Sequence, residues 1–168
     1  MEAAKWANFK WLWLSGIALV LDQITKIVVS ANLTLGEVIP VFAGFNIRLA
    51  HNYGAAFSFL SDQGGWQRWF FTIIAISVTG MLLVWLYKLP KGDWKNGAAF
   101  SLIIGGAIGN LYDRVAYGYV VDFLDVYYKS HHWPAFNIAD SAICLGAGFI
   151  IWSMLVDPQP EDPAKEEG

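Results

Sequence analysis

The chain has 168 residues, 56% of them hydrophobic and only 15% charged, with a mean hydropathy of +0.42, whereas soluble domains carry about 25% charged residues. A formal net charge of −3 without a basic stripe argues against nucleic acid as a partner, and one cysteine excludes a disulfide framework, a thiolate zinc site and an intramolecular redox pair. Nine Trp and seven Tyr, types that favour the membrane–water interface, leave the lipid bilayer as the partner that composition requires.

The first apolar span covers residues 11–29 and is interrupted only by Asp22, Gln23 and Lys26. Lys5 and Lys10 precede it, and Val29-Ser30-Ala31 has the small-residue character of a secretory cleavage site. Two charges within the apolar region suit such a signal poorly, so the segment is expected to remain as a membrane helix. Residues 38–49 mix β-branched and aromatic types around Ala43-Gly44, which predicts a small strand pair. Residues 55–60 are apolar but too short to span, and are expected to lie near the bilayer surface and to flex over a site as a gate.

A second span, 69–87, carries no charge. The third, 97–112, is glycine-rich and short against the roughly 17–25 residues that a bilayer core requires, and is counted as a span by extending it to 94–114. Residues 120–128 are again apolar and aromatic, and such surface outside the membrane rests on lipid or grips an apolar partner. The fourth span, 136–156, holds a single charge, Asp140. Residues 157–168 are acidic with three prolines and read as a disordered tail.

The expected fold is therefore an all-α membrane protein of four transmembrane helices, one domain over residues 1–156. Lys5, Lys10, Lys88, Lys91, Lys95 and Lys165 sit in the tails and the short second connection, which predicts that both termini are cytoplasmic. On that topology Asp22 and Lys26, then Asn110, Asp113 and Arg114, then Asn137 and Asp140 reach the same outer depth from three helices, with Asp122 close behind. Ionisable groups there are costly and point to function.

Several of these residues have a purely structural use. Asp22 and Lys26 stand i, i+4 with the acid first, the favourable order for a helix ion pair. Asp113 and Arg114 mark a helix end, and Asn52 and Asn110 suit backbone groups where helix meets loop. Gly105, Gly106 and Gly109 favour close helix packing. His131 and His132 lack a third ligand at metal spacing, and Cys144 reads as packing. Asp122 and Asp140 differ: each is embedded in apolar residues with no basic partner at helical spacing. Facing each other, two such carboxyls share one proton and supply an acid and a base, which activates water without a metal or a nucleophile. A proton-coupled carrier and an assembly subunit are the rival readings. A relay would run acids through the full thickness, and the inner halves of these spans carry none.

Five blocks in order resemble the lipoprotein signal peptidases (signal peptidase II): Asp22-Gln23-x-x-Lys26, Asn52-Tyr53-Gly54-Ala55-Ala56-Phe57-Ser58, Gly105-Gly106-Ala107-Ile108-Gly109-Asn110-Leu111-Tyr112-Asp113-Arg114, Val120-Val121-Asp122-Phe123 and Phe136-Asn137-Ile138-Ala139-Asp140-Ser141. The resemblance implies an intramembrane aspartyl endopeptidase of the bacterial inner membrane. It would cut lipid-modified prolipoproteins N-terminal to the diacylglyceryl cysteine on the periplasmic side, in contact with membrane lipids and without cofactor or metal. Asp122 and Asp140 match the catalytic pair. Asn52, Gly54, Asn110, Arg114 and Asn137 match residues that support substrate and dyad, and Asp22 and Lys26 match a structural ion pair. The implied fold adds an extracytoplasmic β-cradle, placed at 38–49, and a surface helix, placed at 55–66.

Overall fold

The computed structural model describes residues 6–54 and 65–156. Among these, a 3-10 turn, Ala7–Trp11, leads into helix α1, Leu12–Asn32. Strands β1, Val38–Phe42, and β2, Phe45–Asn52, follow. Next come α2, Trp66–Lys88, and α3, Trp94–Ala116. Strands β3, Val120–Tyr128, and β4, His131–His132, precede α4, Ile138–Val156. The surface helix and gate expected within 55–66 lie almost wholly outside the described residues, Trp66 being the first residue of α2, and the tail 157–168 lies wholly outside them.

The helices are inverted relative to those of a soluble protein. In α1 the buried residues are Ser15, Ala18, Asp22, Lys26 and Val29, a stripe at helical spacing that is mostly polar or small. Trp13, Ile17, Val20, Leu21, Ile24 and Val28 face outward. Packing polar groups inward and apolar ones outward is stable where the surroundings are hydrocarbon. Among the described residues, three helices are long and apolar enough to cross a membrane: Ala7–Asn32, Trp66–Lys88 and Ile138–Val156.

That corrects the expectation of an all-α protein with four transmembrane helices. The α3 helix forms at the expected place, but its glycines and polar residues take it below the hydropathy of the other three. The cause is its position: α3 packs against α1, α2 and α4, so its surface is turned to protein. A Cβ on Gly105 would lie 2.7 Å from the Ser15 carbonyl oxygen, and one on Gly146 of α4 would lie 2.6 Å from that of Ala99. Small residues at these crossings let the backbones approach where apolar driving force is weak.

The second correction is the sheet. The four strands pair in the order β1-β2-β3-β4, all antiparallel. The predicted strand pair is β1 and β2, closed at Gly44 with φ +94°. Residues 120–128, read only as apolar surface, form the central strand β3, whose first four residues are buried. Val29 of α1, Leu49 of β2 and Val121 and Phe123 of β3 form one apolar cluster that seats the sheet on the helices.

Candidate active site

Asn137 and Asp140 form a reciprocal cap at the start of α4. The Asp140 N–H donates to Asn137 Oδ1 at 2.9 Å, and the Asn137 N–H donates to Asp140 Oδ2 at 3.2 Å. Spacing of three is what this motif requires, so the Asn-x-x-Asp block fixes where Asp140 points. On the sheet, Ala50 pairs with Asp122. Asn52, two residues further along β2, faces the same side and donates to Asp122 Oδ2 at 2.9 Å.

Two more amides join the carboxyls into one frame. Asn137 Nδ2 donates to Asp122 Oδ1 at 2.7 Å and to Asn110 Oδ1 at 3.1 Å. Asn110 Nδ2 donates to Asp140 Oδ1 at 2.8 Å. A single residue, Asn137, thus holds β3, α3 and the head of α4 together. Gly54 enters through its backbone: its N–H donates to Asn52 Oδ1 at 2.9 Å and its carbonyl accepts from Arg114 Nη2 at 3.0 Å. Arg114 also donates to the Asn110 carbonyl at 3.2 Å and lies over the Phe71 ring. Every expected support residue therefore lies within this network.

Burial drives the Asp122 carboxyl up from 3.8 to about 7, and the neighbouring Asp140 adds to the shift; Asn52, Lys26 and Asn137 pull the other way. Between those values the folded chain holds a proton at Asp122 that the unfolded chain has lost. The resulting stabilisation is complete below about pH 4 and is lost as pH rises through about 7. Thermal unfolding in detergent from pH 4 to 8 should show the parent losing stability relative to Asp122→Asn up to neutrality, then running parallel to it. A constant difference across the range would mean that Asp122 titrates as an ordinary carboxyl.

Asp22 and Lys26 pair as expected, at 2.7 Å. They are not alone: Lys26 Nζ lies 2.8 Å from Asp113 Oδ2, and Gln23 Nε2 donates to Asp22 at 3.1 Å and to Asp113 at 3.0 Å. Asp113 and Gln23 were missed as members of this cluster. The available signal was Asp113 at i+3 from Asn110, on one helix face. His132, also outside the site, binds the buried Asp125 at 2.8 Å, and Asn46 Nδ2 donates to Asp125 at 2.8 Å.

Two mostly apolar cavities open beside Asp140. One, of about 220 Å³, lies among Phe71, Ile74, Val78, Ala107, Asn110 and Arg114. The other, of about 380 Å³, is bounded by Trp133, Phe136, Ser141 and Cys144, and Ile143 borders both.

A family model described as Signal peptidase (SPase) II matches residues 14–156. A lipoprotein signal peptidase of Shewanella loihica is 52% identical over 164 residues, covering 96% of each chain. One from Vibrio cholerae serotype O1 (strain M66-2) is 53% identical over 154 residues, covering 89% of this chain and 88% of its own. A solved structure of a bacterial membrane enzyme superposes with a TM-score of 0.81 at 32% identity, covering 92% of both chains. A second superposes at 0.77 and 33% identity, covering 89% of this chain and 94% of its own.

Proposed function

The chain belongs to the signal peptidase II family, and on that premise we propose that Asp122 and Asp140 are its catalytic pair. The protein is an aspartic endopeptidase of the membrane that removes the signal peptide from prolipoproteins, cutting N-terminal to the lipid-modified cysteine. The observation that carries the assignment is the amide frame: Asn52, Asn110 and Asn137 hold three oxygens of the two carboxyls, and the Asn137 N–H holds the fourth.

In this reading the two carboxyls share one proton. One takes a proton from water as the water oxygen attacks the scissile carbonyl carbon. The other gives its proton to the carbonyl oxygen; the first carboxyl then passes water's proton to the departing nitrogen as the C–N bond breaks, and the diol returns a proton to the second. Asp122, with its affinity for a proton near neutrality, suits either half of that exchange. Asn52, Gly54, Asn110, Arg114 and Asn137 keep the pair oriented and shape the approach of substrate. The apolar cavities on either side of Asp140 offer room for acyl chains and for the apolar stretch of a signal peptide, and the outward apolar faces of the helices suit contact with membrane lipid.

We place the protein in the bacterial inner membrane with the dyad towards the periplasm and both termini cytoplasmic. Asn8, in the 3-10 turn before α1, donates at 2.9 Å to the carbonyl of Leu89, just past the end of α2, and Asn96 ties the start of α3 to Ser153 of α4. Lys10, Lys88, Lys91 and Lys95 belong to that end of the bundle, opposite the dyad, and lysines favour the cytoplasmic side.

The direct test is incubation of the purified protein with a precursor peptide carrying a diacylglyceryl cysteine, with mass analysis of the products. Release of the signal peptide by a cut N-terminal to that cysteine is expected. Cleavage at another bond, or equal cleavage of the unlipidated peptide, would refute the substrate assignment.

A further inference from the structure

Lys26 is almost fully buried, and its ammonium has three hydrogen-bond donors to satisfy. It meets three acceptors: Asp22 Oδ2 at 2.7 Å, Asp113 Oδ2 at 2.8 Å and Asn110 Oδ1 at 3.0 Å. Each acceptor makes a further bond, and all three lead to the dyad. Asp22 Oδ1 accepts the Ala139 N–H at 2.9 Å, the residue before Asp140. Asp113 Oδ2 accepts the Val121 N–H at 3.1 Å, the residue before Asp122. Asn110 donates to Asp140 itself. Gly109 leaves space for this arrangement, since a Cβ there would lie 2.6 Å from Asp22 Oδ2.

We infer that Lys26, Asp22 and Asp113 are positioning residues that set the separation of the two catalytic carboxyls, with the ammonium as the fixed point from which both backbone segments are held. This rests on Asp122 and Asp140 being the cleaving pair. An ion cluster serving only stability could end on any buried backbone; this one ends on the two residues that adjoin the dyad. Removing one carboxylate charge relaxes one segment relative to the other. A small misplacement of a reacting group costs up to about 10²-fold in rate. The gap between the two macroscopic pKa values of an interacting pair depends on its spacing, so the pH–rate profile reports the same displacement. Among the described residues, the charged groups around the pair are Asp22 and Lys26 from α1 and Asp113 and Arg114 from α3.

The test uses Asp113→Asn and Lys26→Gln, each purified and compared per folded molecule with the parent on the lipidated precursor peptide. Asp113→Asn retains an oxygen for the Val121 N–H and leaves the Asp22–Lys26 pair intact, so it decides the matter if Lys26→Gln does not fold. Expected are a kcat lower by about tenfold to a hundredfold, a KM within about twofold and a narrowed pH–rate bell. Folded Asp113→Asn with the parent's kcat and profile, even at lower yield, overturns the inference. Activity in folded Asp122→Asn would instead overturn the dyad on which the inference rests, and the two failures are distinct.

Discussion

Folded Asp122→Asn protein is expected to cut the lipidated precursor on the order of 10⁴-fold more slowly than the parent, and Asp140→Asn to match it. Either substitution keeps the shape of the side chain and removes the proton that the pair must exchange. The double variant should be hardly slower than either single one, because residues that act as a unit are strongly non-additive. Both single variants should fold, Asp122→Asn gaining on the parent as pH rises to neutrality. Asn at 122 keeps one acceptor but turns its own amide towards the donors of Asn52 or Asn137; that loss opposes the gain from no longer burying a carboxyl. Single-turnover cleavage with folded protein, alongside its unfolding temperature, checks both points. Cleavage clearly above background by either single variant would show that the acid and the base lie elsewhere.

Gly106→Ala should have the largest effect on the fold and should also damage the site. A Cβ at Gly106 would overlap the Ala139 carbonyl oxygen and come within 2.8 Å of Ile143 Cγ1. A backbone atom cannot swing aside, so α3 and α4 must separate, and overpacking of this kind costs about 1–3 kcal/mol or more. The displaced carbonyl belongs to the residue before Asp140, so any folded protein should also have lost the short bond from Asn110 and most of its turnover. Gly146→Ala is the matched control: it meets the Ala99 carbonyl at 2.6 Å on the same helix pair but away from the dyad. It should lower the unfolding temperature similarly and leave kcat unchanged in the folded fraction. Gly148, with nothing within 4 Å among the described residues, should accept alanine without either effect. Equal activity in folded Gly106→Ala and Gly146→Ala would separate helix packing from the geometry of the site.

Much of this architecture is written locally along the chain. The four helices lie where apolar runs predict them, the strand pair around Gly44 follows from its β-branched and aromatic content, and Asp22 and Lys26 pair because i, i+4 residues share a helix face. Asn137 and Asp140 find each other by the spacing of a helix cap. The sheet and the count of membrane-crossing helices were less legible. Residues 120–128 form a strand, buried over its first four residues, because β2 and the end of α1 lie against them, and nothing within the segment records that neighbour. Glycines and polar residues make α3 look marginal as a span, and packing against all three other helices accounts for them.

The membrane environment, the local elements and the family follow from the residues alone, because periodicity, capping and motif spacing act over a few residues. Which buried groups meet depends on how the folded chain packs. Asp113 turns to Lys26, 87 positions away in the chain, while its neighbour Arg114 reaches the Gly54 carbonyl. The Ala139 N–H finds Asp22 across 117 positions. Such pairings depend on how helices cross and on the absence of a Cβ at Gly105, Gly106 and Gly109. In a low-dielectric interior each buried charge must find a partner wherever packing brings one within reach.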